Sequence, residues 1–131
     1  LCRIKSDKSE VIYAGAHRPL YLQREGLDEL VQYKGSKFPI GGMQYNGANC
    51  FDDQPVEIQN GDRLYFFSDG LPDQFGGEKN LKLGPKRIRQ VIEENPAKSM
   101  PQMHEIFEKL FTSWMGENKQ MDDVLLFGIE I

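Results

Sequence analysis

Gly61-Asp62-Arg63-Leu64-Tyr65-Phe66-Phe67-Ser68-Asp69-Gly70 is the stretch on which the fold turns. Asn60-Gly61-Asp62 carries turn chemistry, and Arg63 to Ser68 behind it is the most strand-like run in the chain, rich in aromatic residues that suit a pleated surface. The strand ends in Asp69-Gly70. A carboxylate there is held by rigid backbone and still reaches the solvent-facing rim of a sheet. Asp122-Asp123 stands in the mirrored position, directly before the apolar run Val124 to Ile131, which reads as a buried C-terminal strand. If the two strands are neighbours, Asp69 and Asp122 converge on one point. Converging carboxylates repel unless a cation lies between them, and hard oxygen ligands suit Mg²⁺ or Mn²⁺. On spacing alone a plainer reading stays open, in which Asp69 makes a turn with Gly70 and Asp122 and Asp123 are exposed loop acids.

Upstream of this stretch the chain reads as strands and turns. Leu1 to Lys5 and Val11 to Ala14 flank the polar cluster Ser6-Asp7-Lys8-Ser9, which predicts a hairpin. Pro19-Leu20-Tyr21-Leu22 and Leu27 to Tyr33 flank Glu25-Gly26 and predict a second. Residues 35 to 49 hold Gly35, Gly41, Gly42 and Gly47 and read as a loop, and Cys50 to Ile58 reads as extended. Downstream the pattern changes to helix. Gly84-Pro85 opens one, with Pro in the first turn where its missing N–H costs nothing, and Asn95-Pro96 stops it. Ser99 and Gln102 form a capping box for the next, whose apolar stripe runs Met103, Ile106, Phe107, Leu110, Phe111 and Trp114 and closes at Gly116. Many strands, then two amphipathic helices and a final strand predict an α+β layered domain.

Composition limits the function. At 131 residues the chain fits one domain, and 39% hydrophobic and 27% charged residues is an ordinary globular balance. Its net charge of −4 gives no bulk electrostatic reason to bind nucleic acid or anionic lipid. No apolar run is long enough to span a bilayer. Cys2 and Cys50 fit no zinc spacing and read as two free thiols in a reducing compartment, which predicts a cytoplasmic protein or the cytoplasmic domain of a membrane-anchored one. GxxxxGK[ST], GxGxxG and HExxH are all missing. His104 falls on the polar side of its helix and reads as solvated, and nothing in the spacing recommends Cys50 with His17 as a nucleophile pair. Gly15, between Ala14 and Ala16 and ahead of His17-Arg18-Pro19, is the other dense cluster. There His17 and Arg18 offer an anion site, against the plainer reading of a loop with a strand-end histidine.

The order of these clusters carries a resemblance. Tyr13-Ala14-Gly15-Ala16-His17-Arg18-Pro19-Leu20, then Phe38-Pro39-Ile40-Gly41, then Gly61 to Gly70, then Gln120-Met121-Asp122-Asp123-Val124 resembles the SpoIIE-type branch of the PPM family, the metal-dependent, protein phosphatase 2C-like serine/threonine phosphatases of bacteria. Asp73-Gln74-Phe75-Gly76-Gly77 and Trp114-x-Gly116 are similar to that branch as well. The resemblance implies a layered α-β-β-α sandwich of antiparallel sheets with a two-metal Mn²⁺ or Mg²⁺ site at one edge. It places Asp69 and Asp122 as catalytic metal ligands, with Gly70 and Asp123 beside them in the metal site. It implies hydrolysis of phosphoserine or phosphothreonine by a metal-activated water, with no covalent intermediate.

The chain departs from that pattern in two places. The family's first metal motif, an Asp followed by a Gly-His-Gly-containing segment, is absent, and with it the aspartate that bridges both metals and the helices expected on one face. Leu125 stands where the family often has Thr, which implies a packing change. The expectation is therefore the C-terminal portion of a phosphatase domain, incomplete at its N-terminus, with open sheet edges, weak metal binding and little activity alone, or pairing with a second copy. The implied partners are a phosphorylated protein such as an anti-sigma-factor antagonist and an upstream sensor or regulatory domain. The alternative is a non-catalytic module that keeps the phosphatase fold and binds a partner.

Overall fold

A computed structural model describes residues 1–7, 9–27, 30–41 and 51–131. Cys50 and most of the glycine-rich loop expected at 35–49 lie outside these residues. Both expected hairpins are present. Strand β1 (Cys2–Ile4) pairs antiparallel with β2 (Glu10–Tyr13), and β3 (Leu20–Gln23) with β4 (Leu30–Tyr33). Strand β5 (Gln54–Glu57) joins β2, giving a three-stranded sheet in the order β1-β2-β5. Strand β6 (Arg63–Phe67) joins β3 on one side and β9 (Leu126–Glu130) on the other, giving a four-stranded sheet in the order β4-β3-β6-β9.

Alternation along β3 and β6 explains how the layers stack, because successive side chains point to opposite faces. Leu20, Leu22 and Leu64 face the other sheet and pack with Val11, Tyr13, Val56 and Ile58 in one core. Tyr21, Tyr65 and Phe67 face the helices and form a second core with Ile88, Ile92, Met103 and Phe107. The Tyr21 and Phe67 rings stack at 5.6 Å between centroids. Strand β3 is buried along its whole length because it lies in mid-sheet with a layer on either face. Its amide residue, Gln23, is compensated on one side only: the Nε2 donates to the Ile92 carbonyl at 3.0 Å, while the buried Oε1 has no partner among the described residues.

The helices follow their sequence signals. Helix α2 (Pro85–Glu93) has Pro at its start, and α3 (Met100–Met115) is capped by Ser99, whose backbone and side chain form the expected reciprocal pair with Gln102. Gly116 ends α3 with φ 56°, a conformation that favours glycine. Two short elements were not legible in the pattern: the four-residue helix α1 (Gly70–Asp73) and the two-residue hairpin β7 (Phe75–Gly76) with β8 (Leu81–Lys82).

The α-β-β part of the expected sandwich is thus in place. Among the described residues no helix covers the outer face of β1-β2-β5. The expected burial of the last strand is corrected. Among the described residues β9 pairs with β6 alone and forms a sheet edge, and Phe127 is 44% exposed and the preceding Leu125 59% exposed. Phe127 stacks on Phe66 at 4.9 Å, and an apolar groove of about 440 Å³ runs between β9 and α3, lined by Met103, Phe107, Phe111, Val124 and Leu126. Leu125 projects outward and contributes through its backbone, so the Thr-to-Leu departure leaves the core untouched.

Ile88 is fully buried where α2 meets the sheet. Ile88→Ala is expected to cost about 2–5 kcal/mol in chemical denaturation, whereas Lys86→Ala on the exposed side of the same helix changes the midpoint little.

Candidate functional site

The β6–β9 pairing brings the two acidic pairs together. The ladder runs from Arg63↔Glu130 to Phe67↔Leu126. It is extended by Ser68, whose amide donates to the Leu125 carbonyl at 2.9 Å and whose Oγ donates to the Asp123 carbonyl and accepts from the Leu125 amide, each at 2.9 Å. Gly70 then passes against the Asp122-Asp123 backbone. A Cβ on Gly70 would sit 2.3 Å from the Asp123 carbonyl oxygen, so only glycine fits. Asp69 is in the helical region at the start of α1, and its carbonyl accepts from the Asp73 amide at 2.9 Å. The Asp122 carboxylate accepts from the Asp123 amide at 2.7 Å, and both acids of that pair are exposed.

Gln74 fixes the approach to Asp122 and was missed as a site-shaping residue. It is fully buried, and its Nε2 donates to the carbonyls of Phe75 and Lys119, each at 3.0 Å. Its Oε1 accepts from the Met121 amide at 3.2 Å. One amide side chain therefore holds both ends of the segment 119–121 that delivers Asp122. The Gln74 carbonyl in turn accepts from Trp114 Nε1 at 3.2 Å, and the Gly77 amide donates to the Trp114 carbonyl at 2.8 Å. Arg87 lies over the Trp114 ring at 4.0 Å. The Asp73-to-Gly77 and Trp114-to-Gly116 stretches are thus one packing unit.

Asp69 has a partner that no spacing announced. Arg18 Nη2 lies 2.7 Å from its Oδ2. The loop that carries Arg18 is tied down by backbone. Ala16 and Ser36 form a parallel bridge, His17 N donates to Ser36 O at 2.8 Å, and Ser36 N donates to Gly15 O at 2.7 Å. The Tyr13 hydroxyl donates to the Arg18 carbonyl. His17 has φ 60°, a left-handed conformation uncommon outside glycine, and its side chain is exposed. His104 is exposed on α3, as the helix pattern predicts.

Two facing antiparallel sheets with helices packed on one form the architecture seen in solved domains of the protein phosphatase 2C type. The structure matches the SiaA-PP2C domain of Pseudomonas aeruginosa with a TM-score of 0.82 at 23% identity, over 98% of this chain and 49% of that one. It matches the phosphatase domain of the cell fate determinant SpoIIE from Bacillus subtilis with a TM-score of 0.68 at 14% identity, over 100% of this chain and 56% of that one. The Mn-presoaked form of that domain gives 0.67 at 16% identity. At these identities the likeness is one of fold, and the chain spans about half the length of these solved domains. A model of the family described as Stage II sporulation protein E (SpoIIE) matches residues 1–131, and the chain belongs to that family. A search of curated protein sequences gives no match.

The fold implies a divalent cation, and the side chains here do not by themselves build its site. Among the described residues no three His, Cys, Asp or Glu side chains converge as a metal centre requires. The Asp69 carboxylate is met by a guanidinium and the Asp122 carboxylate by a backbone amide. Asp69, Gly70, Asp122 and Asp123 are brought to one end of the sheet by their backbones.

Two outcomes follow from this geometry. Gly70→Ala forces its new methyl into the Asp123 carbonyl and is expected to destabilise the fold by about 1–3 kcal/mol, with amide chemical shifts in 121–126 moving most in a heteronuclear spectrum. Burial pushes the Tyr13 hydroxyl up to about 12 from an ordinary 10, with the Cys2 and Tyr21 side chains adding to the rise. The folded state then holds this proton more tightly than the unfolded chain, so its contribution is complete below pH 10 and is lost between about pH 10 and 12. A denaturation series across that window is expected to show the fall, and Tyr13→Phe to flatten it.

Proposed function

We propose that this chain is part of a metal-dependent serine/threonine protein phosphatase, contributing Asp69 and Asp122 to a site that takes its remaining donors from outside the described residues. The reaction is hydrolysis of a phosphoserine or phosphothreonine ester. The observation that carries this reading is the contact of Gly70 with the Asp122-Asp123 backbone, which lays the two acidic motifs side by side at one rim. Family membership over residues 1–131 supports the same reaction class. Mn²⁺ or Mg²⁺ is the cation such oxygen donors suit. The substrate class is a phosphorylated protein, with an anti-sigma-factor antagonist as the first candidate, and control falls to an upstream sensor or regulatory domain of the full-length protein. The setting is the cytoplasm or the cytoplasmic side of a membrane. Among the described residues no helix is long and apolar enough to cross a membrane.

A second reading, a partner-binding module that keeps the fold without turnover, is favoured by the incomplete donor set among the described residues. One experiment separates the two. The intact gene product is incubated with a phosphoserine protein in Mn²⁺, and phosphate release is measured. Turnover that falls at least about 100-fold in both Asp69→Asn and Asp122→Asn is the expected result. Absence of turnover, or turnover unchanged in both variants, overturns the catalytic reading. The 131 residues alone are expected to hydrolyse an aryl phosphate weakly or not at all.

A further inference from the structure

The Arg18–Asp69 ion pair poses a question that stability does not answer. The two side chains are 45% and 51% exposed, so water and salt screen the pair and it contributes little to holding the fold together. Yet the backbone beneath Arg18 is built to close tolerances. A Cβ on Gly15 would collide with the Tyr13 hydroxyl and lie 2.8 Å from the Arg18 carbonyl oxygen. A Cβ on Gly35 would lie 2.9 Å from that same oxygen. The Tyr13 hydroxyl binds it, and His17 takes the left-handed turn that aims the chain into it. Four separate features thus fix the main chain at one exposed arginine.

Arg18 pairs with Asp69 of the acidic rim, and the loop bridged to its own carries lysines. The Ala16–Ser36 bridge sets the loop bearing His17 and Arg18 beside the loop bearing Lys34 and Lys37. His17, Arg18, Lys34 and Lys37 are all exposed, and among the described residues neither lysine is in an ion pair. Asp69 faces this group from the end of β6. A guanidinium presents five N–H donors in a planar fork that matches the oxygens of a phosphate, and the bond to Asp69 uses one Nη.

We propose that Arg18 is the residue that receives the phosphoryl group of the substrate, and that Asp69 positions its guanidinium at the rim through one Nη, leaving the other donors for the anion. Identifying that anion as a phosphoester rests on the phosphatase reading above, whereas the anion site itself does not. The donors that Asp69 leaves free form charge-assisted hydrogen bonds to the phosphate oxygens. Lys34 and Lys37 add positive potential on the loop beside Arg18.

The test uses inorganic phosphate as the probe, without metal and at low ionic strength, with binding read by ³¹P line broadening and by calorimetry. Wild type is expected to bind weakly. Asp69→Asn weakens the hold on the Nη that the carboxylate occupies and is expected to tighten binding by about two- to fivefold, the range set by an exposed ion pair. Arg18→Ala abolishes binding, and in the Asp69→Asn background it abolishes the gain as well, whereas a general effect of removing one negative charge would survive it. Arg18→Lys retains part of the affinity, and Arg18→Gln serves if the alanine variant fails to fold. No phosphate binding by Asp69→Asn at tens of millimolar, equal binding by wild type and Arg18→Ala, or a gain that persists without Arg18 overturns the proposal. Because no turnover is needed, a chain that binds phosphate through Arg18 but never hydrolyses an ester overturns the phosphatase reading alone. Hydrolysis with no Arg18-dependent binding overturns this one alone.

Discussion

Everything at the acidic rim depends on the pairing of β6 with β9. Without that ladder Asp69 and Asp122 stand 53 positions apart in the sequence with no common frame. With it, the register from Arg63↔Glu130 to Phe67↔Leu126 leaves one possible place for the residues that follow and precede it. Ser68 carries the register one step further by meeting both Asp123 and Leu125, and Gly70 then seats directly on the Asp122-Asp123 backbone. An antiparallel ladder suits this task, since the end of one strand lies beside the start of its neighbour. The Arg63–Glu130 ion pair at 2.9 Å marks the opposite end of the same ladder.

The two flanks of that ladder are supported unequally. Toward β3 the sheet is closed: β6 is paired, and both of its faces are covered by packed side chains. Toward solvent it is open, with Phe127 and Leu125 exposed and an apolar groove beside α3. A strand edge with unpaired amides and apolar side chains is a surface that proteins ordinarily cover or charge. Here the one charged residue in β9, Glu130, is already held by Arg63. The solved domains of like fold are about twice as long as this chain, which agrees with a sheet whose edge is drawn to accept more structure.

Much of the fold was legible because its signals are local. The β1–β2 and β3–β4 hairpins, the Ser99–Gln102 capping box and the proline at the start of α2 each rest on signals within a few residues, and each formed as read. The acidic motifs were legible as strand ends for the same reason. Burial of β9 was misread because Val124 to Ile131 is equally apolar at a sheet centre or a sheet edge, and only topology decides between them. The Arg18–Asp69 pair joins residues 51 apart, and nothing in either neighbourhood names the other. Gln74 was quoted as part of a motif, but its three amide contacts belong to partners at positions 75, 119 and 121. Helix α1 and the β7–β8 hairpin are too short for periodicity to show.

The sequence distance spanned by the β6–β9 ladder also sets an order of events in time. Closing a loop of nearly sixty residues carries an entropy penalty that local hairpins do not, so the β1–β2 and β3–β4 pairs can form well before the ladder does. During synthesis on a ribosome, β9 emerges only after both hairpins, β6 and both long helices have left the tunnel. The acidic rim is therefore the last feature of this chain to be assembled, and a nascent or truncated chain that already holds its first core still lacks it. Asp69 and Asp122 come side by side only once the ladder between their strands has closed.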